Sequence, residues 1–124
     1  FQIQDDVLNL VAKKKKYGKE IGGDILEGKR TLMLIHLMQH CTKKELSEIS
    51  NFLSVPIANR SADKAAWILK LMHKYDCLGY SRGIAKYMAG AALKEFYSVF
   101  SGLKDSKDKS LIENIILYMI NRDY

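Results

Sequence analysis

Cysteine is scarce in this chain. Cys41 and Cys77 stand far apart among its 124 residues, with no C-x-x-C and no Cys/His ligand spacing. That argues against a zinc site and a disulfide framework, and fits a reducing, cytoplasmic setting. Long apolar runs are missing too. The longest, Leu32 to Met38, is interrupted by His36 and falls far short of the roughly 20 residues needed to cross a bilayer. No signal-peptide pattern is visible, no repeat, no strand alternation, and no low-complexity tract beyond Lys13 to Lys16. The phosphate-binding fingerprints G-x-x-x-x-G-K-[ST] and G-x-G-x-x-G are absent, which disfavours a P-loop or Rossmann nucleotide site. The chain begins without Met inside an apparent helix, so a piece of a longer protein is expected.

What is present is helical and basic. Lys and Arg outnumber Asp and Glu by 20 to 14, a net charge of +6. This favours an anionic partner: nucleic acid, an acidic lipid surface or a phosphorylated small molecule. Nucleic-acid binding would want interleaved aromatics and a reading helix, which the lysine run lacks. The pattern predicts one domain over residues 1–124, or part of one, with about six closely packed helices. Residues 1–14 read as a helix and 15–28 as a glycine-punctuated loop. A nearly all-apolar helix follows over 29–41, then one over 43–53 opened by a Thr42/Glu45 capping box. Pro56 stops it. Ser61 caps a helix over 62–77, with Ala66, Leu69 and His73 on one side and Trp67, Ile68, Leu71 and Met72 nearby. Gly79 marks a break. A long helix over 82–100 carries a stripe of Ala85, Met88, Ala92, Phe96, Val99 and Phe100. The last helix, over 110–121, places Ile112, Ile115, Ile116 and Met119 at core spacing.

The first helix is unusual. At about 100° per residue, Gln2, Asp5, Asp6, Asn9 and Lys13 share one arc, while apolar residues occupy nearly all the rest. A surface helix has the reverse proportions. Asp5 and Asn9 are i, i+4 neighbours, so their oxygens face one space. Hard oxygen donors in such a cluster suit Mg²⁺, which takes one or two carboxylates, keeps its waters and bridges to a diphosphate. Lys19 and Lys29 flank Gly22 and Gly23 and supply point charges for phosphate oxygens. His36 reads as a core or pocket-wall histidine rather than a ligand.

FQIQDDVLNL followed by YGKEIGGDILEGKRTLMLIH resembles the second aspartate-rich region of the trans-isoprenyl diphosphate synthases. YDCLGYSRGIAKYMAGAALKEF and the closing LYMINRDY resemble the C-terminal helices of that family. The similarity spans the whole chain but only the C-terminal part of such a synthase. The resemblance implies an all-α, isoprenoid-synthase-like helical bundle around a central apolar cavity, and a homodimer. It further implies Mg²⁺-dependent condensation of an allylic diphosphate with isopentenyl diphosphate. By position, Asp5 binds magnesium directly, Asp6 and Asn9 support it through water, and Asp24 holds metal-bound water or orients the lysines. Lys19 and Lys29 contact the allylic diphosphate, Gln2 sits near the developing cation, and Arg122 approaches isopentenyl diphosphate. Asn9 stands where the usual motif has a third acid, which tilts the product towards geranylgeranyl diphosphate, with farnesyl or longer products next. A non-catalytic subunit that uses the same fold to modulate an active synthase is the rival reading.

Overall fold

The computed structural model describes residues 1–11 and 22–121. Among these there are seven α-helices and no strand: α1 (Gln2–Val11), α2 (Gly23–Glu27), α3 (Leu32–His40), α4 (Lys43–Ser54), α5 (Ala62–Lys74), α6 (Cys77–Val99) and α7 (Lys107–Asn121). A 3₁₀ turn, Ile57–Asn59, follows Pro56. The chain separates into two compact units, Gln2–Arg82 and Gly83–Tyr124 with Phe1. The fold is all-α, as the hydrophobic spacing indicates.

In the first unit the apolar residues of α5 recur at helical spacing, and Ala65, Ile68, Leu71 and Met72 are buried. This stripe packs α5 against α2 and α3, and α2 also contacts α1. Val7, Ile25, Leu37, Ile49 and Phe52 complete the same cluster. Burial of this much aliphatic surface is the main force holding the unit together. Of the side read as Ala66, Leu69 and His73, Ala66 and His73 point to solvent, whereas Ile68, Leu71 and Met72 beside it are buried.

Local signals set the helix ends. The Thr42 hydroxyl accepts from the Glu45 N–H at 3.2 Å while the Glu45 carboxylate accepts from the Thr42 N–H at 2.9 Å, a complete capping box. Ser61 accepts from the Lys64 N–H. Several boundaries differ from expectation, α7 among them, which starts at Lys107 rather than Ser110. Within the segment read as a loop, GDILE forms a one-turn helix, because Gly22 (φ +81°) and Gly28 (φ +71°) act as left-handed caps on its two sides. α3 starts at Leu32 rather than Lys29, because Thr31 takes the N-cap position and accepts from the Leu34 N–H at 3.2 Å. The break before α6 falls at Asp76 (φ +48°), and the helix runs unbroken through Gly79.

In the second unit Phe96 is buried, with the rings of Tyr97 and Phe100 at 5.7 and 5.1 Å. The Tyr97 hydroxyl donates to Glu113 of α7. Met88, Val99, Ile112 and Ile115, expected in a core, are exposed. A pair of helices can cover only one narrow stripe of each partner, and these two carry more apolar positions than that.

Candidate functional site

The site is assembled from α1, α2 and the turn that follows. α1 is buried as its composition requires: Val7, Leu8 and Leu10 are each at most 5% exposed. The same burial carries Asp6 inwards, and a carboxylate there needs a partner. Lys29 supplies it, its Nζ donating to Asp6 Oδ1 at 2.6 Å and to Asp24 Oδ2 at 3.2 Å. The Asp6 hydrogen bond is the main influence holding the Lys29 ammonium above its ordinary pKa, partly opposed by desolvation and reinforced by Asp24.

Asn9 fastens the other end. Gly22 has no side chain with which to cap α2, so the cap is borrowed. Asn9 Oδ1 accepts from the Asp24 N–H at 3.3 Å, and the Asn9 carbonyl accepts from the Gly22 N–H at 3.2 Å. One orphan amide of a helix start is thereby satisfied from a neighbouring helix. The Lys29 N–H in turn donates to the Asp24 carbonyl at 2.9 Å. The backbone of α2 therefore sets where both Asp24 and Lys29 project.

These groups rim a cleft of about 10 Å³, with Asp6, Asp24, Lys29 and Thr31 around a floor that includes Leu10 and Met72. That is room for about one water molecule. Two carboxylates (Asp6, Asp24) against one ammonium (Lys29) leave a net charge of −1 at the cleft, so it favours a cation. The donors are hard oxygens, the type that magnesium takes. Among the described residues no group of three or more His, Cys, Asp or Glu side chains converges to hold a metal ion. Asp6 and Asp24 are the two carboxylates at the cleft, and magnesium takes one or two carboxylates while keeping its waters.

Asp6, Asn9, Asp24 and Lys29 thus come together. Asp5 is half-buried next to them on α1, and Gln2 is exposed at its first turn. Lys19 and Arg122 lie outside the described residues. His36 is half-buried, stacked at 4.0 Å on Tyr80 and 4.1 Å on His40, with its pKa lowered chiefly by burial. The thiol of buried Cys77 is pushed up to about 11 by desolvation, which makes it inert as a nucleophile.

Sequence reasoning missed two contributors, Thr31 and Arg60. Thr31 could have been found from its position just before an apolar helical run. Arg60 donates through Nη1 to the Leu26 carbonyl at 2.7 Å, through Nη2 to Leu53 at 2.9 Å and through Nε to Val55 at 2.9 Å. Nothing in the sequence signals the contact with Leu26, which spans 34 residues.

An all-α chain with adjacent aspartates on α1, one of them paired with a lysine of the glycine turn, points to one group of proteins. The sequence profile of the polyprenyl synthetase family matches residues 1–72, and the chain belongs to that family. It is 52% identical over 52 residues to the short chain isoprenyl diphosphate synthase of Methanocaldococcus jannaschii, covering 40% of this chain and 16% of that protein. With the geranylgeranyl diphosphate synthase of Sulfolobus acidocaldarius it shares 35% identity over 94 residues, 73% of this chain and 27% of that one. The octaprenyl diphosphate synthase of Haemophilus influenzae is 28% identical over all 124 residues, 36% of its own length. The crystal structure of geranylgeranyl pyrophosphate synthetase from Pyrococcus horikoshii superposes with a TM-score of 0.78 at 30% identity, covering 98% of this chain and 35% of that one. The chain therefore spans about a third or less of the length of these relatives.

Proposed function

We propose that the chain is the C-terminal part of a prenyltransferase that condenses an allylic diphosphate with isopentenyl diphosphate, with geranylgeranyl diphosphate as product. The observation that carries this reading is the pair of neighbouring carboxylates on a helix that buries Val7, Leu8 and Leu10, one of them already engaged by Lys29 from the glycine turn. Two of the relatives above bear the geranylgeranyl name; the octaprenyl relative makes a longer product the alternative. Magnesium, a homodimeric assembly and a cytoplasmic setting go with the same reading.

Asp5 would hold the ion, with Asp6 and Asn9 supporting it through water and Asp24 holding metal-bound water or orienting the lysines. Bound there, magnesium supplies neutralisation of diphosphate charge as the C–O bond ionises. Lys29 has three N–H donors. Two serve Asp6 and Asp24, so the third can meet a diphosphate oxygen while the carboxylates keep the ammonium aimed. Lys19 would add a second charge and Arg122 would meet isopentenyl diphosphate. Gln2 would turn its amide dipole towards the allylic cation. The apolar helices around the cleft keep water from that cation before the isopentenyl double bond attacks.

The test is product analysis by mass spectrometry with the full-length protein, isopentenyl diphosphate, an allylic diphosphate and Mg²⁺. Geranylgeranyl diphosphate is the expected product, and Asp5→Ala lowers the rate by about 10²–10³-fold, the usual effect of removing one group that stabilises developing charge. Near-normal turnover by Asp5→Ala sinks the site assignment. The 124-residue chain alone should show no turnover, and a turning-over chain would mean that the site needs nothing from outside it.

A further inference from the structure

The geometry points to Arg60 as the positioning residue for Lys29: its guanidinium clamps the C-terminal turn of α2 to the end of α4 and so fixes the ammonium between Asp6 and Asp24. Helix C-termini leave carbonyls without intrahelical partners, and cations are favoured there. Arg60 serves two such ends at once. Nη1 takes the Leu26 carbonyl in the last turn of α2, while Nη2 and Nε take Leu53 and Val55 at the end of α4. The guanidinium carbon also lies 5.5 Å from the ring centre of buried Phe52. Only a planar fork with donors on three nitrogens can span this arrangement; a lysine in its place has a single point of contact.

The clamp bears on the residue before Lys29. Gly28 has φ +71°, and a Cβ added there would come within 2.5 Å of Arg60 Nη1. The glycine is therefore required twice, by its left-handed backbone and by the close approach of the guanidinium. From this point the chain has one residue left in which to turn its side chain back. Lys29 does so, its N–H on the Asp24 carbonyl and its Nζ on the two carboxylates. Between Arg60 and the ammonium there is no loose segment. The consequence for diphosphate binding rests on the function proposed above; the positioning itself does not.

The test uses the 124-residue chain without substrate. Lysines are acetylated with a water-soluble N-hydroxysuccinimide ester, and the rate at Lys29 relative to exposed Lys70 is read by peptide mass spectrometry. Circular dichroism checks that each variant is folded. Arg60→Met and Gly28→Ala should each raise the Lys29/Lys70 ratio several-fold, and Arg60→Lys should raise it by less. An unchanged Lys29/Lys70 ratio overturns the assignment, and so does an equal rise at Lys74, which is held by Glu45 in the same unit and is freed with Lys29 if Arg60 only stabilises the fold. If Arg60→Met fails to fold, Gly28→Ala and Arg60→Lys decide by the same ratio. A raised ratio combined with unaltered turnover of Arg60→Lys in the full-length protein supports the positioning and overturns the catalytic reading of Lys29.

Discussion

At Asp6 the chain holds a carboxylate whose side chain is 9% exposed against an ammonium that is 40% exposed. The asymmetry in burial decides what each substitution does. Lys29→Met strands a nearly buried carboxylate, and an unsatisfied buried group costs about 1–3 kcal/mol. Asp6→Asn leaves a lysine that still has Asp24 at 3.2 Å and solvent beside it, so it costs less. Urea unfolding should therefore rank Lys29→Met below Asp6→Asn in stability, with the double variant recovering part of the difference. Equal losses from the two single variants would mean that Asp6 is better solvated than its surroundings imply. The sequence already showed that two acids on an apolar helix must face something polar. Which of the two would be inward, and that Lys29 would be its partner across 23 residues, depended on the burial of α1 and on α2 forming a helix turn, and neither follows from spacing alone.

At the level of elements the legible signals were the local ones. Thr42 with Glu45, Ser61 and Pro56 act over three or four residues, and each does in the structure what its position predicts. One local signal misled. Gly79 reads as a break, yet it sits inside α6 because the Asp76 carboxylate lies where its Cβ would be. The Thr42–Glu45 cap also gains long-range partners: the Glu45 carboxylate accepts from Lys74 Nζ at 2.8 Å and from the Tyr75 hydroxyl at 2.7 Å. It thus ties the start of α4 to the end of α5. The Lys74 bond first, then Tyr75 and the Thr42 N–H, lower the Glu45 pKa from about 4.5 to about 2. A pKa lowered by folding adds stability above the unfolded value, and that stability is lost as pH falls through the folded one. The wild-type advantage over Glu45→Gln should hold at neutral pH, shrink from about 4.5 downwards and vanish near pH 2. A constant difference across that range in thermal melts would show that charge has no part in the tie.

On the scale of the whole molecule the two units are unequally built. The first buries a contiguous cluster from Val7 to Leu78 drawn from α1 through the first turn of α6. In the second, Phe96 is the single buried hydrophobic side chain among the described residues, and no described side chain of α7 is fully buried. Local opening free energies follow buried apolar contact, so the two units should open separately. Hydrogen exchange of the 124-residue chain should leave α3 and α5 amides protected up to the global unfolding free energy. Peptides from α7 should exchange faster by orders of magnitude, as one cooperative group. Exposed Tyr87, Leu111, Ile115 and Tyr118 add nothing to protection in isolation, because apolar surface stabilises only what it is buried against. Protection of α7 equal to that of α5 would overturn this division and imply that its apolar positions are covered in solution. Asp6, Asp24 and Lys29 all stand in the first unit. Loss of α7 protection should therefore leave the Asp6–Lys29–Asp24 arrangement intact, and the Lys29/Lys70 acetylation ratio measured where α7 is open should match its value where α7 is closed.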